Sequence, residues 1–172
     1  MDSRVLVAFA TRYGTTQEAA EVVAESIRQS GLDVEVKPLR DVKTLDGYRA
    51  VVIGAALYMY RWHKDAIAFL TRFQQALTGV PLAVFAIGPV NPVEKEFADA
   101  RAQLDKELAQ FTWLKPLDIR IFGGKFDPYA LRFPHNLVPG MKKLPVTDAR
   151  DLGAVAAWGR DLAARRPFSA AP

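Results

Sequence analysis

The sequence predicts an α/β domain in which a doubly wound, five-stranded parallel sheet carries helices on both faces. Short apolar runs rich in β-branched residues alternate with stretches that repeat apolar residues at helical spacing, a pattern typical of such sheets. The chain has 172 residues, half of them hydrophobic, which suffices for one domain with a sizeable core. We expect a single domain over residues 1–166 and a frayed tail over 167–172.

Five segments are predicted strands. RVLVAFA and RAVVIGAA are continuous apolar runs, as expected of strands that are buried on both faces. DVEVKPL is shorter, alternates and ends beside Pro38, which favours a place at the edge of the sheet. The five predicted strands cover residues 4–10, 33–39, 49–56, 81–88 and 117–124.

Four helices are predicted from apolar periodicity. Three of them cover residues 16–29, 63–77 and 94–111, each with apolar residues on one face. The last helix is expected to begin near Asp148 as its N-cap, with Asp151 in the first turn, where the helix dipole favours negative charge. Its predicted buried face comprises Leu152, Val155, Ala156 and Leu162.

Composition excludes several kinds of site. The sequence contains no cysteine, which excludes disulfides, thiolate metal sites and a cysteine nucleophile. It contains two histidines far apart in sequence, so no metal site is predicted. We find no signal peptide, and the longest apolar runs reach only about half a membrane span. The sequence therefore favours a cytoplasmic protein without a transmembrane segment.

The net charge of +4 is concentrated in one part of the sequence. Residues 120–150 contain six basic and two acidic side chains, a balance of +4, and the 17 basic and 17 acidic residues elsewhere cancel. This region is either an ordinary solvated loop or a surface that attracts an anionic partner. No nucleic-acid-binding motif accompanies the charges, so nucleic acid is not the expected partner. The six cations are Arg120, Lys125, Arg132, Lys142, Lys143 and Arg150.

Residues 125–146 do not fit either periodicity. They contain four prolines and several large apolar side chains between the last predicted strand and the last predicted helix. A connection of this length inside a compact domain is usually either functional or disordered. Both alternatives stay open from the sequence.

The stretch TRYGTT, residues 11–16, is the first candidate binding site. It joins the first strand to the first helix, where free backbone N–H groups and the positive end of the helix dipole attract an anion. Gly14 permits a tight turn, and the threonines offer hydroxyl donors. Neither a dinucleotide motif nor a triphosphate loop is present, which favours a mononucleotide. Alternatively, or in addition, Thr15 caps the helix in a capping box with Glu18.

Two further loops follow the third and fourth strands. LYMYRWHKD places three aromatic residues together, and GPVNPVE is rich in glycine and proline. Beside a phosphate site, flat aromatic side chains and such a loop would form a slot for a planar ring. Tyr58 is the better stacking candidate, because Trp62 is as well explained by packing against the following helix.

These motifs together resemble a known family. TRYGTTQEAAEVVAESI resembles the phosphate loop and first helix of flavodoxins, whose loose pattern is T-x-[RYSN]-G-x-T. GAALYMYRWHKDAIAFL, GPV and FGGKFDPYALRF resemble a subgroup, the flavodoxin-domain proteins related to menaquinone-dependent protoporphyrinogen oxidases. The resemblance covers nearly the whole chain. It implies a flavodoxin-like fold with strand order 2-1-3-4-5 and FMN as the cofactor.

The resemblance also implies three groups of FMN-binding residues. Members of the subgroup often have glycine where this chain has Tyr60, and the oxidases carry a longer, basic and aromatic insertion at 125–146. The phosphate would be held by Thr11, Arg12, Tyr13, Gly14, Thr15 and Thr16. One side of the isoalloxazine would be lined by Ala56, Leu57, Tyr58, Met59 and Tyr60, and the other by Gly88, Pro89, Val90 and Asn91.

Three hypotheses about function follow. The first is an FMN-dependent oxidoreductase that oxidises a small organic substrate, anionic or porphyrinogen-like in character, and passes electrons to a quinone, with peripheral contact to a membrane allowed. The second is a non-catalytic electron carrier that docks on redox proteins, although such carriers generally have acidic faces. The third, a binding module that has lost its cofactor, is disfavoured by the intact phosphate loop.

No side chain is assigned as catalytic, because FMN supplies the redox chemistry. His63 or His135 could deliver a proton, but His63 is equally well explained as a helix cap and His135 as a surface group.

Overall fold

The structure, a computed structural model, describes residues 4–169. None of its helices within that range has the length and apolar character needed to traverse a lipid bilayer. In chain order the elements are β1 (Arg4–Ala10), α1 (Thr15–Arg28), β2 (Asp33–Pro38), β3 (Tyr48–Tyr58), β4 (Arg61–Trp62), α2 (Lys64–Arg72), α3 (Gln74–Leu77), β5 (Leu82–Ile87), α4 (Glu94–Leu108), β6 (Asp118–Phe122), β7 (Lys125–Phe126), β8 (Thr147–Asp148) and α5 (Leu152–Ala164).

The five predicted strands form one parallel sheet in the order β2-β1-β3-β5-β6. Counted among the predicted strands alone, this order is 2-1-3-4-5, so the doubly wound fold class is confirmed. The short β4 pairs antiparallel with the end of β3, and β7 pairs antiparallel with β8 as a separate ribbon.

The strand register aligns the carboxyl ends of four strands at one edge of the sheet. Ala10, the last residue of β1, is paired with Ala55 in β3. Ala56 is paired with Ile87 at the end of β5, and Ile87 is paired with Phe122 at the end of β6. The connections that leave these four strands therefore meet on the same side.

Both faces of the sheet are buried, because its central strands carry apolar side chains in both directions. In β1, Leu6 and Ala8 belong to a core cluster that includes residues of α2 and α4. The alternate residues Val5 and Val7 belong to a second cluster with α1 and α5. The continuous apolar run in the sequence thus corresponds to a strand whose two faces are both packed against helices.

Two glycines allow close packing within the core. A Cβ at Gly54 in β3 would overlap the ring of Phe85, which lies in β5 and is fully buried. A Cβ at Gly159 in α5 would lie 3.0 Å from the carbonyl oxygen of Val23 in α1. Phe85 also meets Trp158 of α5, with ring centroids 5.8 Å apart. Glycine at both positions lets neighbouring elements approach more closely than alanine would allow.

Two predicted helices differ from the observed ones, one by an interruption and the other by a later start. The predicted helix over 63–77 is interrupted at Phe73, whose φ of −101° and ψ of 17° separate α2 from α3. The N-cap of α5 is Asp151, whose carboxylate accepts a hydrogen bond from the N–H of Ala154 at 2.9 Å. The predicted N-cap, Asp148, lies in β8 instead.

The buried face of α5 agrees only in part with the predicted one. Val155 and Leu162 are buried as predicted, but Leu152 is 37% exposed and Ala156 is only partly buried. Trp158, which the apolar pattern did not mark, is buried. The buried residues Val155, Trp158, Gly159 and Leu162 lie three, four and seven positions apart, so the helix presents one face to the core.

The expectation of a frayed tail is wrong for Phe168. This side chain is fully buried in the cluster that faces α1 and α5. Its backbone N–H donates to the carbonyl oxygen of Arg165 at 2.9 Å. The remaining residues of the predicted tail, 170–172, lie outside the described part of the chain.

Candidate functional site

A cleft of about 230 Å³ lies at the carboxyl edge of the sheet. The loops that follow β1, β3, β5 and β6 contribute its walls, and in open parallel sheets such a crevice is the usual place for a ligand. It is lined by Thr11, Arg12, Tyr13, Thr15, Thr16, Ala56, Leu57, Tyr58, Ile87, Gly88, Val90, Gly124, Lys125, Phe126, Asp127, Ala130 and Leu131.

The chain turns sharply from β1 into α1 at residues 11–14. Gly14 has φ 93° and ψ −17°, a left-handed conformation that glycine adopts without strain. Its N–H donates to Oγ1 of Thr11 at 2.8 Å and closes the turn. The helix then begins at Thr15, and the N–H groups of its first turn have no acceptor within the helix. Free N–H donors and the positive end of the helix dipole therefore lie beside the cleft.

Three threonine side chains at this turn line the cleft: Thr11, Thr15 and Thr16. The hydroxyl of Thr11 accepts from Gly14 and retains its own proton for donation. Thr16 is only 1% exposed, although it is polar. Hydroxyls and main-chain N–H groups at a helix N-terminus are the donors that bind a phosphate or a similar anion.

The predicted capping box between Thr15 and Glu18 is not formed. Gly14 is the N-cap of α1, and no side chain caps that end of the helix. The Glu18 carboxylate accepts from Arg150 at 2.8 Å instead. Arg150 also donates to both carboxylate oxygens of Asp148, at 2.9 and 2.7 Å, and these bonds lower the pKa of Asp148 to about 2. Arg150 thus ties the β7–β8 ribbon to the first turn of α1.

Four side chains from three different loops meet beside the cleft. The hydroxyl of Tyr13 lies 3.1 Å from Nδ1 of His135. The imidazole of His135 meets the ring of Tyr58 edge-on, with centroids 4.7 Å apart and an interplanar angle of 64°. The guanidinium carbon of Arg12 lies 5.3 Å from the centroid of the Tyr58 ring, within cation–π range. The segment between β7 and β8 is therefore anchored on the two loops that carry the predicted binding residues.

The same cluster shifts two pKa values. Burial raises the pKa of the Tyr58 hydroxyl; neighbouring Tyr13 adds to the shift and Arg12 opposes it. Burial, followed by the charge of Arg12, lowers the pKa of His135. Both shifts favour the uncharged forms of Tyr58 and His135 near neutral pH.

His63 and Trp62 have structural roles. The Nδ1 atom of His63 accepts from the N–H of Asp65 at 3.1 Å and caps α2, and burial lowers its pKa while the Asp65 charge opposes this shift. Trp62 is buried in the core, and its Nε1–H donates to the carbonyl oxygen of Ala55 at 3.1 Å. The alternatives of a helix cap for His63 and of packing for Trp62 are confirmed.

Ten of the fifteen predicted cofactor-binding residues line the cleft, with members from each of the three predicted groups. The structure thus brings together the loops after β1, β3 and β5, which are far apart in sequence. The ten residues are Thr11, Arg12, Tyr13, Thr15, Thr16, Ala56, Leu57, Tyr58, Gly88 and Val90.

The other five predicted residues do not line the cleft. Gly14 lies within the phosphate-type turn, where its N–H donates to Thr11. Met59 and Tyr60 form the tight turn from β3 to β4 at φ 50° and 63°, and their side chains are 68% and 83% exposed. The carbonyl oxygen of Pro89 accepts from the N–H of Gly124 at 2.7 Å, and the side chain of Asn91 donates to Glu96 at 3.2 Å.

The prediction of individual residues missed the wall that follows β6. A Cβ at Gly123 would collide with the carbonyl oxygen of Ala149, so only glycine allows this close crossing of the chain. Gly124 is held between Pro89 and Ala149 by hydrogen bonds of 2.7 and 2.9 Å. The GG pair, which the prediction placed at the end of the fifth strand but which follows β6 in the structure, is the sequence signal for this wall. The missed residues are Ile87, Gly124, Lys125, Phe126, Asp127, Ala130 and Leu131.

Comparison with protein families identifies the family of this chain. The model of the flavodoxin domain family matches residues 6–140, well over half of the chain. The chain belongs to the flavodoxin domain family. The resemblance inferred from the phosphate loop and from the GGKFD stretch is confirmed.

Three known proteins illustrate the similarity. Protoporphyrinogen IX dehydrogenase [quinone] of Escherichia coli (strain K12) is 25% identical over 134 residues, which are 76% of this chain and 71% of the relative. Oxidised flavodoxin 1 from Bacillus cereus has a TM-score of 0.58 at 20% identity and covers 91% of this chain and 95% of its own. The Streptococcus pneumonia TIGR4 flavodoxin has a TM-score of 0.60 at 18% identity, covering 94% and 98%.

FMN is the cofactor of this flavodoxin-domain protein. The residues present fit that molecule. The turn at Gly14 leaves unoccupied N–H donors and threonine hydroxyls for one phosphate monoester, and no carboxylate lies among its residues 11–16. The aromatic ring of Tyr58 and the backbone of Gly88 both line the adjoining part of the cleft, as a flat ring system requires.

Proposed function

We propose that the cleft binds FMN and that the protein oxidises an anionic organic substrate and passes the electrons to a quinone. The observation that carries this proposal is the position of the segment after β6. Residues 124–127, 130 and 131 line the same cleft as the phosphate-type turn, and His135 anchors the segment on Tyr13 and Tyr58. A flavin ring that is enclosed by protein walls is suited to reaction with a small bound substrate. Electron transfer to a large protein partner would instead favour a ring that is exposed at the surface.

Binding begins at the phosphate. The hydroxyls of Thr11, Thr15 and Thr16 and the N–H groups at the start of α1 would hold its oxygens, and Arg12 would add a positive charge. Gly14 keeps the turn in the left-handed conformation that this arrangement needs. The chain thus provides neutral donors and one cation and does not require a metal ion.

The ring system would lie between the loops after β3 and β5. Tyr58 would stack on one side, with Ala56 and Leu57 beside it, and the backbone of Gly88 and Val90 would offer hydrogen bonds on the other. When bound, FMN supplies the redox chemistry, and the protein determines its position and electrostatic surroundings.

The substrate would enter beside Lys125 and Arg12, which both line the cleft. Neither cation has a carboxylate partner within 4 Å among residues 4–169. Because the phosphate would engage Arg12, Lys125 is the cation that remains for an anionic substrate. Asp127 also lines the cleft, but its carboxylate accepts from the N–H of Tyr129 at 2.9 Å. The relative from Escherichia coli acts, by its name, on protoporphyrinogen IX and a quinone, and we extend both classes of molecule to this chain.

A second candidate function is electron transfer to a redox protein. The turn of Met59 and Tyr60 projects two exposed side chains beside the cleft, which would suit a docking partner. The net charge of +4 disfavours this role for a protein of the flavodoxin type, because the partner would then have to be acidic.

A shortened variant distinguishes the two functions. In this variant Asn-Gly replaces residues 128–145, which is feasible because Phe126 and Thr147 are paired neighbours in the β7–β8 ribbon. The purified protein is titrated with FMN, and oxidation of protoporphyrinogen IX is measured with a soluble naphthoquinone as acceptor. We expect FMN affinity to change less than about tenfold and oxidation to fall at least about hundredfold, because the substrate wall is removed.

Unchanged oxidation by the shortened variant would contradict the proposal. If both proteins fail to oxidise the substrate but reduce a redox protein equally well, the carrier function is supported instead. A wild-type protein whose visible spectrum does not respond to added FMN, or that binds riboflavin as tightly as FMN, would contradict the cofactor site itself.

A further inference from the structure

Exposed apolar side chains are concentrated at the carboxyl edge of the sheet. Within residues 4–169, eleven large apolar side chains are exposed, and eight of them lie either in the β3–β4 turn or between residues 129 and 146. Surface apolar residues are common singly, but a group of this size marks an interaction surface. The eight are Met59, Tyr60, Tyr129, Phe133, Leu137, Val138, Leu144 and Val146, and we call them the apolar patch.

The chain that presents most of this patch is folded. Successive 3₁₀ turns at Pro128–Ala130, His135–Leu137 and Met141–Lys143 follow one another, and hydrogen bonds such as that from Leu144 N–H to Met141 O, at 3.2 Å, close them. The first and last turns lie against each other. The β7–β8 ribbon closes the base of the segment. The exposed apolar side chains therefore belong to a folded segment.

The two parts of the patch are connected through His135. This residue belongs to the folded segment, and its ring meets Tyr58, the residue that precedes the Met59–Tyr60 turn. The hydrogen bond to Tyr13 fixes the segment on the loop after β1 as well. The β3–β4 turn and the segment that carry the patch are thus joined through Tyr58 and His135, beside the cleft.

Cations accompany the apolar side chains. Arg132, Lys142 and Lys143 are exposed, and none has a carboxylate within 4 Å among residues 4–169. On the exposed face of α4, by contrast, Lys95 and Arg101 each pair with a carboxylate. Between residues 125 and 146 the sequence has one acidic residue against four basic ones. The surface around the patch therefore carries uncompensated positive charge.

We propose that the apolar patch docks this protein on the surface of an anionic lipid bilayer. Exposed apolar side chains would enter the interface between headgroups and acyl chains, and Arg132, Lys142 and Lys143 would contact anionic headgroups. The tyrosines suit this interface because they combine an apolar ring with a polar hydroxyl. A second copy of the chain would place like charges together, which opposes self-association. The docking does not depend on the redox chemistry proposed above.

Vesicle binding tests the proposal. The full FMN-loaded chain is mixed with vesicles of phosphatidylcholine alone, or of phosphatidylcholine with about one third phosphatidylglycerol, and the bound fraction is measured by sedimentation. We expect at least tenfold tighter binding to the anionic vesicles and release by high salt. The variants Lys142→Glu/Lys143→Glu and Leu137→Ser/Leu144→Ser should each weaken this binding at least tenfold.

Matched controls lie at the opposite edge of the sheet. Lys115 and Arg166 are exposed cations without an ion pair among residues 4–169, and Leu117 is an exposed leucine. Lys115→Glu/Arg166→Glu and Leu117→Ser should bind anionic vesicles as the parent chain does. Equal binding to both vesicle types, no binding, or equal losses in patch and control variants would overturn the proposal. The proposal would also be overturned if the wild-type chain formed a dimer and the patch variants were monomers, because a second copy would then cover the patch.

Discussion

The hydroxyl of Tyr13 and Nδ1 of His135 lie 3.1 Å apart, although 122 positions separate the two residues in the chain. Tyr13 belongs to the turn that precedes α1, and His135 to the segment between β7 and β8. Because Tyr58 meets the same imidazole, one histidine joins the phosphate-type turn, the aromatic wall and the segment that borders the cleft. Its protonation state therefore affects how firmly the segment is held.

We expect this contact to weaken in acid. Burial and then the Arg12 charge lower the pKa of His135 below its ordinary 6.5. A histidine with a lower pKa in the folded than in the unfolded state contributes stability that is present above the unfolded pKa and is lost as the pH falls through the folded one. Limited proteolysis within residues 129–146 should therefore be faster at about pH 5 than at about pH 8.

His135→Gln provides the control for this pH dependence. Its proteolysis should vary little with pH, because glutamine does not titrate in this range. If the variant keeps the dependence of the parent chain, another group is responsible, and His63 is the first to test because burial lowers its pKa too.

Gly14→Ala should weaken FMN binding about fivefold to thirtyfold. Nothing lies within 4 Å of a Cβ at this position, so the cost arises from the φ of 93° and amounts to roughly 1–2 kcal/mol for an alanine. Gly140→Ala is a matched control, because Gly140 has φ 81° and equally open surroundings but lies away from the turn. Isothermal titration should show a loss of affinity in the first variant only. Equal affinities in the two variants would mean that the turn does not hold the ligand.

Thr16→Val should weaken the binding of FMN but not that of riboflavin. Valine has nearly the shape of threonine, so the buried site stays filled while one donor to the phosphate is lost. A lost hydrogen bond to a charged group corresponds to roughly 1.5–3 kcal/mol, or about a tenfold to hundredfold loss of affinity. Fluorescence titration with both ligands measures the difference. A parallel loss for riboflavin would indicate that the substitution distorts the whole cleft.

Trp158→Phe should destabilise the fold by about 1–3 kcal/mol, as measured by chemical denaturation. The Nε1–H of Trp158 donates to Asp118 at 2.9 Å, and phenylalanine would leave that partly buried carboxylate without this donor. Burial raises the pKa of Asp118, but hydrogen bonds from Trp158 and Arg120 outweigh it, and the net pKa is lowered. FMN affinity should stay unchanged. A stability equal to that of the parent chain would show that Arg120, Arg165 and the N–H of Ile119 satisfy the carboxylate without Trp158.

The sheet and the phosphate-type turn could be predicted because both depend on neighbouring residues. The apolar runs of β1 and β3 reflect burial on both faces, and the glycine between β1 and α1 reflects a local backbone conformation. The strand order came from the family resemblance. The apolar runs and the turn, unlike the strand order, each leave a signal within a few positions of the sequence.

The errors occurred where distant residues decide the outcome. Glu18 was available for a capping box, but Arg150, 132 positions away, binds its carboxylate. Asp148 and Asp151 are equally good N-caps by residue type, but Asp148 pairs with Lys125 of β7, 23 positions earlier in the chain, and the helix begins after Asp151. Phe168 lies in a short terminal stretch without helical or strand periodicity, yet its side chain is fully buried among residues of β1, α1 and α5. No local pattern contains these contacts.

The contact between Gly54 and Phe85 makes two positions of the chain depend on each other. The ring of Phe85 occupies the volume that any side chain at position 54 would need. A larger residue there is compatible with the sheet only if position 85 becomes smaller at the same time, so evolution can reach such a chain only through a paired replacement. Among homologues, the two columns should therefore covary in size.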